Sequence, residues 1–345
     1  MSLVATQRPS EQIDEEVNAV QRKWSVPSVL TAMVLVAGWW PAVSAADDDC
    51  DAWFPDLQCE RSGRYAGFVP TMVAPYLFED PFVVTGMNLV AVWNDLPGRS
   101  VFRGGDVRVA ASQIRIAVTD RLGFYAAKDG FVSLRPELNL LDTERGQMDL
   151  GAGLKYALID RPDDRFILTP MIGYEMTTGS SDVFSGHGEG QWVPAVSAAW
   201  GVGRFQLVGA VGARLPVDGD RGATSASYHL HVDFAASNGF QPFLSLTGIR
   251  YLDDGRGENR VRLGNGTSLP LGTVQQVLGT GGFEGNDVLN LGSDNVKGND
   301  IVNLGVGFQK KLTSKLMLGV AYEHPVTRRK DLVQQRVSLM LTFEM

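Results

Sequence analysis

The 345-residue sequence contains only two cysteines and four histidines, and its formal net charge is −8. Recognition of nucleic-acid phosphates requires concentrated Lys and Arg, so we expect no nucleic-acid partner. After residue 46 there is no apolar run of the roughly 20 residues that a transmembrane helix needs. If the chain crosses a membrane in this region, it must therefore do so with strands.

The N-terminal region has the pattern of an export signal. Arg22 and Lys23 precede an apolar run from about Val26 to Ala42, and small residues follow it. We predict a signal peptide over residues 1–45, cleaved near Ala45. A retained membrane anchor is the alternative, because the run almost reaches spanning length.

Cys50 and Cys59 lie just beyond the predicted cleavage point. In an oxidising compartment, an even and closely spaced pair most simply forms a disulfide that closes a short loop. The segment from 46 to 83 that contains them has aromatic residues but no regular period. We expect it either to lie in the mouth of a larger fold as a plug or to run along the periplasmic rim.

The last thirteen residues alternate between apolar and polar side chains almost throughout, with Gln335 and Met340 as the mismatches. Such a two-residue period is typical of a strand with one apolar and one polar face. The polar face carries charge, and an export signal begins the chain, so we expect the apolar face to contact lipid. Strands in hydrocarbon must close into a barrel, because an open edge would leave backbone groups without partners.

Segments of similar length recur through the chain, and we predict an all-β, closed antiparallel transmembrane β-barrel of about 12 strands over residues 84–345, with 10 to 14 possible. Short connections alternate with longer ones, which predicts short periplasmic turns and longer extracellular loops; the longest loop spans 253–298. The predicted strands are 84–94, 107–119, 121–128, 148–159, 165–177, 190–201, 204–215, 225–236, 240–252, 299–311, 315–325 and 333–345.

Aromatic residues on two neighbouring predicted strands have the spacing of membrane-interface girdles. Phe166 and Tyr174 are eight residues apart, as are Trp192 and Trp200. In tilted strands this spacing separates the rings by roughly 20 Å along the membrane normal. We therefore expect these rings to face outward.

The opposite faces of the strands are polar, and we expect them to line a lumen with charges of both signs, paired or in contact with water. Glu323 and Arg336 flank one short loop, and we expect them to meet across strands. The candidate lumen-lining residues are Arg115, Lys155, Glu175, Arg214, His229, His231, Asp233, Asn303, Gln309, Glu323 and Arg336.

Three polar patterns suggest chemistry only weakly. His229, His231 and Asp233 share one strand face, where a metal or acid/base site is the alternative to a wetted wall. The repeat 285–292 against 298–305 is similar to calcium-binding repeats but has only two copies; its second copy begins a strand, and its first is expected to pair with it. Residues 180–190 form a flexible Gly-rich loop without a fixed triad. We expect no catalytic residue, metal or cofactor.

Three strings resemble a group of outer-membrane barrels, often labelled transporters, that is named for the meta-pathway of phenol degradation. They are EMTTGSS from Glu175, GND from Gly298 leading into GVGF from Gly305, and AYEHP from Ala321. The resemblance implies passage of small organic molecules, aromatic ones among them, and supplies no binding residue.

We therefore expect a porin-like channel in the cell outer membrane for small organic solutes, hydrophobic or aromatic ones among them, rather than an enzyme. A closed structural or surface-interaction barrel is the first alternative, and a lipid-modifying outer-membrane enzyme is the second. The expected partners are outer-membrane lipid, a small-molecule solute and the barrel-assembly machinery, which would recognise the C-terminal strand.

Overall fold

The structure, a computed structural model, describes residue 65, residues 68–72 and residues 77–344, without residues 162, 237, 238, 281, 286 and 314. The predicted signal peptide and the predicted disulfide between Cys50 and Cys59 lie outside the described residues. Both stay predictions from the sequence.

Strands make up most of the described chain. In chain order they are β1 Gly86–Asp95, β2 Gly105–Ala117, β3 Leu122–Lys128, β4 Phe131–Pro136, β5 Glu144–Gln147, β6 Leu150–Tyr156, β7 Ile159–Arg161, β8 Phe166–Met176, β9 Gln191–Val202, β10 Phe205–Pro216, β11 Ser225–Phe234, β12 Phe240–Tyr251, β13 Arg260–Arg262, β14 Ser268–Pro270, β15 Asp300–Lys311, β16 Leu316–Pro325 and β17 Gln335–Glu344. One α-helix, α1, spans Leu271–Leu278, and Ser181–Val183 form a 3-10 turn.

The sheet closes on itself. β1 pairs antiparallel with β17 on one side and with β2 on the other, so that Gly86 lies between Glu344 and Arg115. The order around the wall is β1, β17, β16, β15, β12, β11, β10, β9, β8, β6, β3, β2. This is the expected closed antiparallel barrel of 12 strands, in which each of the twelve strands in this order pairs with a neighbour on both sides.

The third and fourth strands of the barrel extend further than the sequence predicts, because β4 continues from β3 and β5 precedes β6. After Asp129 and Gly130, β4 continues along β2, and β5 pairs with β4 before the chain enters β6. The region 129–147, predicted to be a loop, therefore contains an outer hairpin. Between β3 and β4 the ladder is interrupted, because the carboxylate of Asp129 accepts hydrogen bonds from the backbone N–H (3.2 Å) and the hydroxyl (3.1 Å) of Ser112 in place of regular ladder hydrogen bonds. This break interrupts the two-residue period, so the sequence does not predict the continuation of the strand.

The strand faces alternate as expected. On β17, Leu339 is exposed while Met340 is buried, so the mismatch at Met340 is an apolar side chain on the inner face. The predicted girdle residues align in register, with Phe166 opposite Trp200 and Tyr174 opposite Trp192. The rings of Tyr174 and Trp192 pack edge to face with centroids 4.8 Å apart.

Two segments outside the wall pack against its inner face. From the N-terminal side, Phe68, Met72 and Phe82 are buried. From the outer side, loop 253–298 forms the β13–β14 hairpin and α1, and its Phe283 packs on Phe102. Within the described residues, no helix is long and apolar enough to cross a membrane.

Candidate functional site

The interior of the barrel is the candidate site, because strand alternation places the polar side chains there. Every residue named as a lumen-lining candidate is buried, from Gln309 and His231 at 0% exposed to Arg214 at 8%. Their partners come partly from other strands and partly from the two segments that pack inside.

A carboxylate of the N-terminal segment joins two cations of the wall. Glu79 accepts hydrogen bonds from Arg115 Nε at 2.6 Å and from Lys155 Nζ at 2.6 Å. Lys155 Nζ also lies 3.2 Å from a carboxylate oxygen of Asp80. Buried charges require such partners, because the desolvation of an unpaired ion in the interior costs on the order of several kcal/mol. Glu79 was not identified from the sequence, because its segment has no period.

A second charged cluster surrounds Glu175 on β8. Its carboxylate contacts Lys128 Nζ at 2.9 Å, Arg214 Nη2 at 3.3 Å and Gln191 Nε2 at 2.6 Å. All four side chains belong to the wall or its immediate strand ends. Lys128, at the end of the short strand β3, was not identified from the sequence. Gln191 precedes the outward-facing Trp192, so alternation places it on the inner face as predicted.

The outermost charged cluster connects the wall to loop 253–298. Glu323 and Arg336 are opposite each other in the register and 3.8 Å apart, which confirms the expected cross-strand pair. The shorter contacts of Arg336, however, are two hydrogen bonds to Asp287, from Nη2 at 2.6 Å and from Nη1 at 2.8 Å. Sequence reasoning missed Asp287 because it lies in a long loop.

His229 contacts the N-terminal segment, whereas the described partners of His231 belong to the wall. The ring of His229 stacks on Phe78 with centroids 4.7 Å apart, and its Nδ1 lies 3.0 Å from Thr247 Oγ1. His231 Nε2 lies 2.9 Å from Asp233 Oδ1. Both rings are buried against aromatic and polar side chains, and the expectation of a wetted wall stays a prediction.

This histidine cluster does not have the geometry of an activated nucleophile. Ser245 is opposite His231 in the register, but among the described hydrogen bonds none joins the two side chains, as a nucleophile and its base require. The described residues also contain no group of three or more His, Cys, Asp or Glu side chains that could hold a metal ion.

Amide side chains complete the contacts with the N-terminal segment. Gln206 donates to the carbonyl of Val69 at 2.7 Å and accepts from its N–H at 2.7 Å. Gln309 donates to the carbonyl of Pro70 at 2.7 Å, while Asn303 is buried on the same inner face of β15. The segment thus meets the wall through side chains and forms no β-ladder with it in the described residues.

The carboxylate of Glu284 organises the inner turn of loop 253–298. It accepts hydrogen bonds from the backbone N–H groups of Gly285 at 3.0 Å, Leu291 at 2.5 Å and Ser293 at 3.1 Å. Burial raises the pKa of Glu284 to about 7, against the effect of these donors. The described residues of the first repeat copy therefore form turns around this carboxylate, and the expectation that this copy extends the sheet is wrong. The second copy begins β15, as predicted.

The outside of the wall is apolar. Large hydrophobic side chains such as Leu89, Ile172 and Trp200 are half exposed around the barrel. A closed antiparallel barrel with an apolar exterior and aromatic residues near both ends is built for a lipid bilayer. The fold is therefore a closed antiparallel transmembrane β-barrel.

Comparison with known proteins gives similarity of fold alone. No family model and no curated protein matches the chain. Among solved structures, it is similar to the COG4313 outer membrane channel from Pseudomonas putida F1, with a TM-score of 0.48, 15% identity, and coverage of 78% of this chain and 98% of that one. It is also similar to the KdgM porin in complex with disordered oligogalacturonate, with a TM-score of 0.42, 8% identity, and coverage of 75% of this chain and 99% of that one. For the Salmonella typhi outer membrane phospholipase the TM-score is 0.37 and the identity 10%, with coverage of 79% of this chain and 97% of that one.

Proposed function

We propose that the protein is an outer-membrane channel for passive passage of small organic solutes, and that the buried polar residues of its wall line the path. The observation that carries this proposal is the composition of the inner face. It is charged from Arg115 and Lys155 through Glu175 to Arg336, and much of this charge is neutralised by residues outside the wall, Glu79 and Asp287.

A charged inner face contributes little to the stability of a permanently closed barrel. Buried ion pairs contribute little net stability, because desolvation offsets their attraction, and an apolar interior is often as stable or more so. A wall whose charges pair with two separable segments would instead become a wetted path when those segments move. In this proposal, residues 68–72 and 77–85 close the inner half, and the described residues of loop 253–298 close the outer half.

The width of the barrel fits this function. Barrels of about eight strands are filled by their own side chains, whereas those of 16 to 18 leave an open aqueous channel. Twelve strands lie between these limits, with room for a peptide segment or a small solute. The interior also presents aromatic rings, since Phe78 stacks on His229 and Phe243 packs on His231, and Tyr125 is buried on β3.

We infer that the solutes are small and hydrophobic or aromatic, as the resemblance to the phenol meta-pathway barrels implies. Aromatic side chains next to buried cations provide both apolar contact and cation–π or charge pairing for such molecules. We also infer that the C-terminal strand, β17, is recognised by the barrel-assembly machinery during insertion.

Uptake into liposomes tests the proposed function. The purified full chain, folded in proteoliposomes, is expected to admit a small aromatic carboxylate such as benzoate faster than protein-free liposomes do, and faster than it admits a sugar of similar mass. If folded protein admits neither solute, the channel proposal fails and the closed structural barrel is supported. If it admits both equally, the preference for aromatic solutes is wrong and the channel stands.

A further inference from the structure

Three arginines lie together on the lipid-facing side of the outer wall. Arg108 on β2 is opposite Ser133 on β4, and Ser133 is opposite Arg145 on β5. Arg135 Nε donates to Ser133 Oγ at 3.3 Å, which places its guanidinium at the same spot. Since neighbouring strands are about 4.8 Å apart, the three arginines surround an area of roughly 10 Å across.

This arginine cluster lies at the height of the outer membrane interface. Arg108 is opposite Trp93, which is half exposed two residues before the outer end of β1. Tyr174 and Trp192 occupy the corresponding position at the outer end of β8. Interfacial aromatic rings mark the level of lipid headgroups, so the cluster faces the headgroups of the outer leaflet.

Two carboxylates share this face, slightly further out. Asp106 forms an ion pair with Arg108 at 2.7 Å, and Asp95 accepts a hydrogen bond from Gln335 at 3.3 Å. Among the described residues, no carboxylate lies within ion-pair distance of Arg135 or Arg145. Two guanidinium groups are thus available to an anion that approaches from the lipid.

An apolar groove begins directly below the arginines, toward the middle of the membrane. Ala91 and Ala110 form part of its floor, where large side chains would otherwise project, and Leu89 and Leu339 stand beside it. The groove has a volume of about 340 Å³. Phe131, opposite Ala110 and 70% exposed, extends this apolar surface.

We propose that this face binds a phosphorylated, multiply acylated glycolipid of the outer leaflet. Its phosphate contacts the arginine cluster and one acyl chain lies in the groove. Guanidinium groups match phosphate oxygens in charge and in bidentate geometry. The order of the two parts along the membrane normal, with cations at headgroup height and an apolar groove about two residues below, fits one amphipathic molecule that already surrounds the protein.

Binding to hexa-acylated, bisphosphorylated lipid A tests this proposal. Lipid A is titrated into the detergent-solubilised full chain, and bound lipid is counted by native mass spectrometry. Replacing the cluster with R108Q/R135Q/R145Q is expected to weaken binding by about tenfold or more, the effect of losing charge-assisted hydrogen bonds. The matched control R250Q/R256Q/K297Q removes the same charge from other positions at the outer end and is expected to change binding less than twofold.

Two further measurements separate the phosphate from the acyl chain. Dephosphorylated lipid A is expected to bind the unmodified protein about as weakly as lipid A binds the triple variant. Ala110→Phe fills the groove without a change in charge and is expected to weaken binding of lipid A severalfold, while the unheated protein keeps its folded mobility in electrophoresis. Equal binding of dephosphorylated lipid A, or an equal loss in the control variant, would overturn the proposal.

Discussion

Arg336 on the last barrel strand and Asp287 in the longest loop form a bidentate pair, with contacts of 2.6 and 2.8 Å, inside the outer end of the barrel. Both side chains are buried. Because one partner belongs to the wall and the other to loop 253–298, this pair connects the state of the loop to that of the lumen.

Asp287→Asn is expected to release the loop. The change removes the carboxylate that accepts both of these hydrogen bonds from the buried Arg336 guanidinium, while Glu323 stays 3.8 Å away. Loss of one partner of a buried pair typically costs about 3 kcal/mol or more. Limited proteolysis should cut loop 253–298 faster in the variant. Asp253→Asn, which removes an equal charge from an exposed position in the same loop, should leave the cleavage rate unchanged.

The attachment of the loop should weaken as the pH rises from 5 to 8. Burial raises the pKa of Glu284 to about 7 and that of Asp331 to about 6. Below about pH 4.5, Glu284 is protonated whether the loop is closed or open. As the pH rises, Glu284 ionises first in the open loop, so the free energy of loop closure becomes less favourable by up to about 3 kcal/mol at pH 7. Arg336 lowers the pKa of Asp287 despite its burial, so that pair stays ionised throughout this range.

Hydrogen exchange of the loop amides between pH 5 and 8, corrected for the intrinsic rate, measures this effect. Glu284→Gln does not titrate, and it should remove the part of the pH dependence that Glu284 causes and leave the part that Asp331 causes. Protection that is constant across the range in the unmodified protein, or pH dependence as steep in the variant as in the unmodified protein, would contradict the assigned role of Glu284.

Glu79→Gln is expected to loosen the N-terminal segment and lower the stability of the barrel. Glu79 makes the shortest ion pair of both Arg115 and Lys155. Without the charge of Glu79, the described ion pairs of these two buried cations are those with Asp80. We expect the midpoint of thermal unfolding, followed by the change in electrophoretic mobility on heating, to fall by several degrees, consistent with a loss of about 2 to 3 kcal/mol. Glu137→Gln, on the exposed outer hairpin, is the control and should not shift the midpoint.

Gly130→Ala is expected to disrupt the break between β3 and β4. Gly130 has a φ of +117°, and a Cβ atom would collide with the Ala110 carbonyl oxygen. Strain of this kind costs about 1 to 3 kcal/mol, which urea titration of the folded barrel would detect. Gly98→Ala, where a Cβ would meet nothing within 4 Å, should be neutral, and equal stability of both variants would show that the break does not depend on this conformation.

The sequence predicted the barrel wall well because alternation is a local signal. Each strand carries its own two-residue period, so Trp192 and Trp200 identify an outer face without knowledge of their neighbours. Arg115, Lys155 and Arg336, which alternation assigns to inner faces, are buried in the structure. The sequence could not identify Glu79 or Asp287, since both lie in segments without a period and meet partners 36 and 49 residues away. The sequence did not predict that β3 continues into β4, because the strand is interrupted at Asp129, whose side chain takes the place of ladder hydrogen bonds.

Single-channel recording of E79Q/D287N in planar bilayers, beside the unmodified protein, tests the central claim most directly. If the two segments close a polar path, the folded double variant should show larger and longer openings than the unmodified protein, and each single variant should lie between them. A folded double variant that conducts no more than the unmodified protein would contradict a channel closed by Glu79 and Asp287.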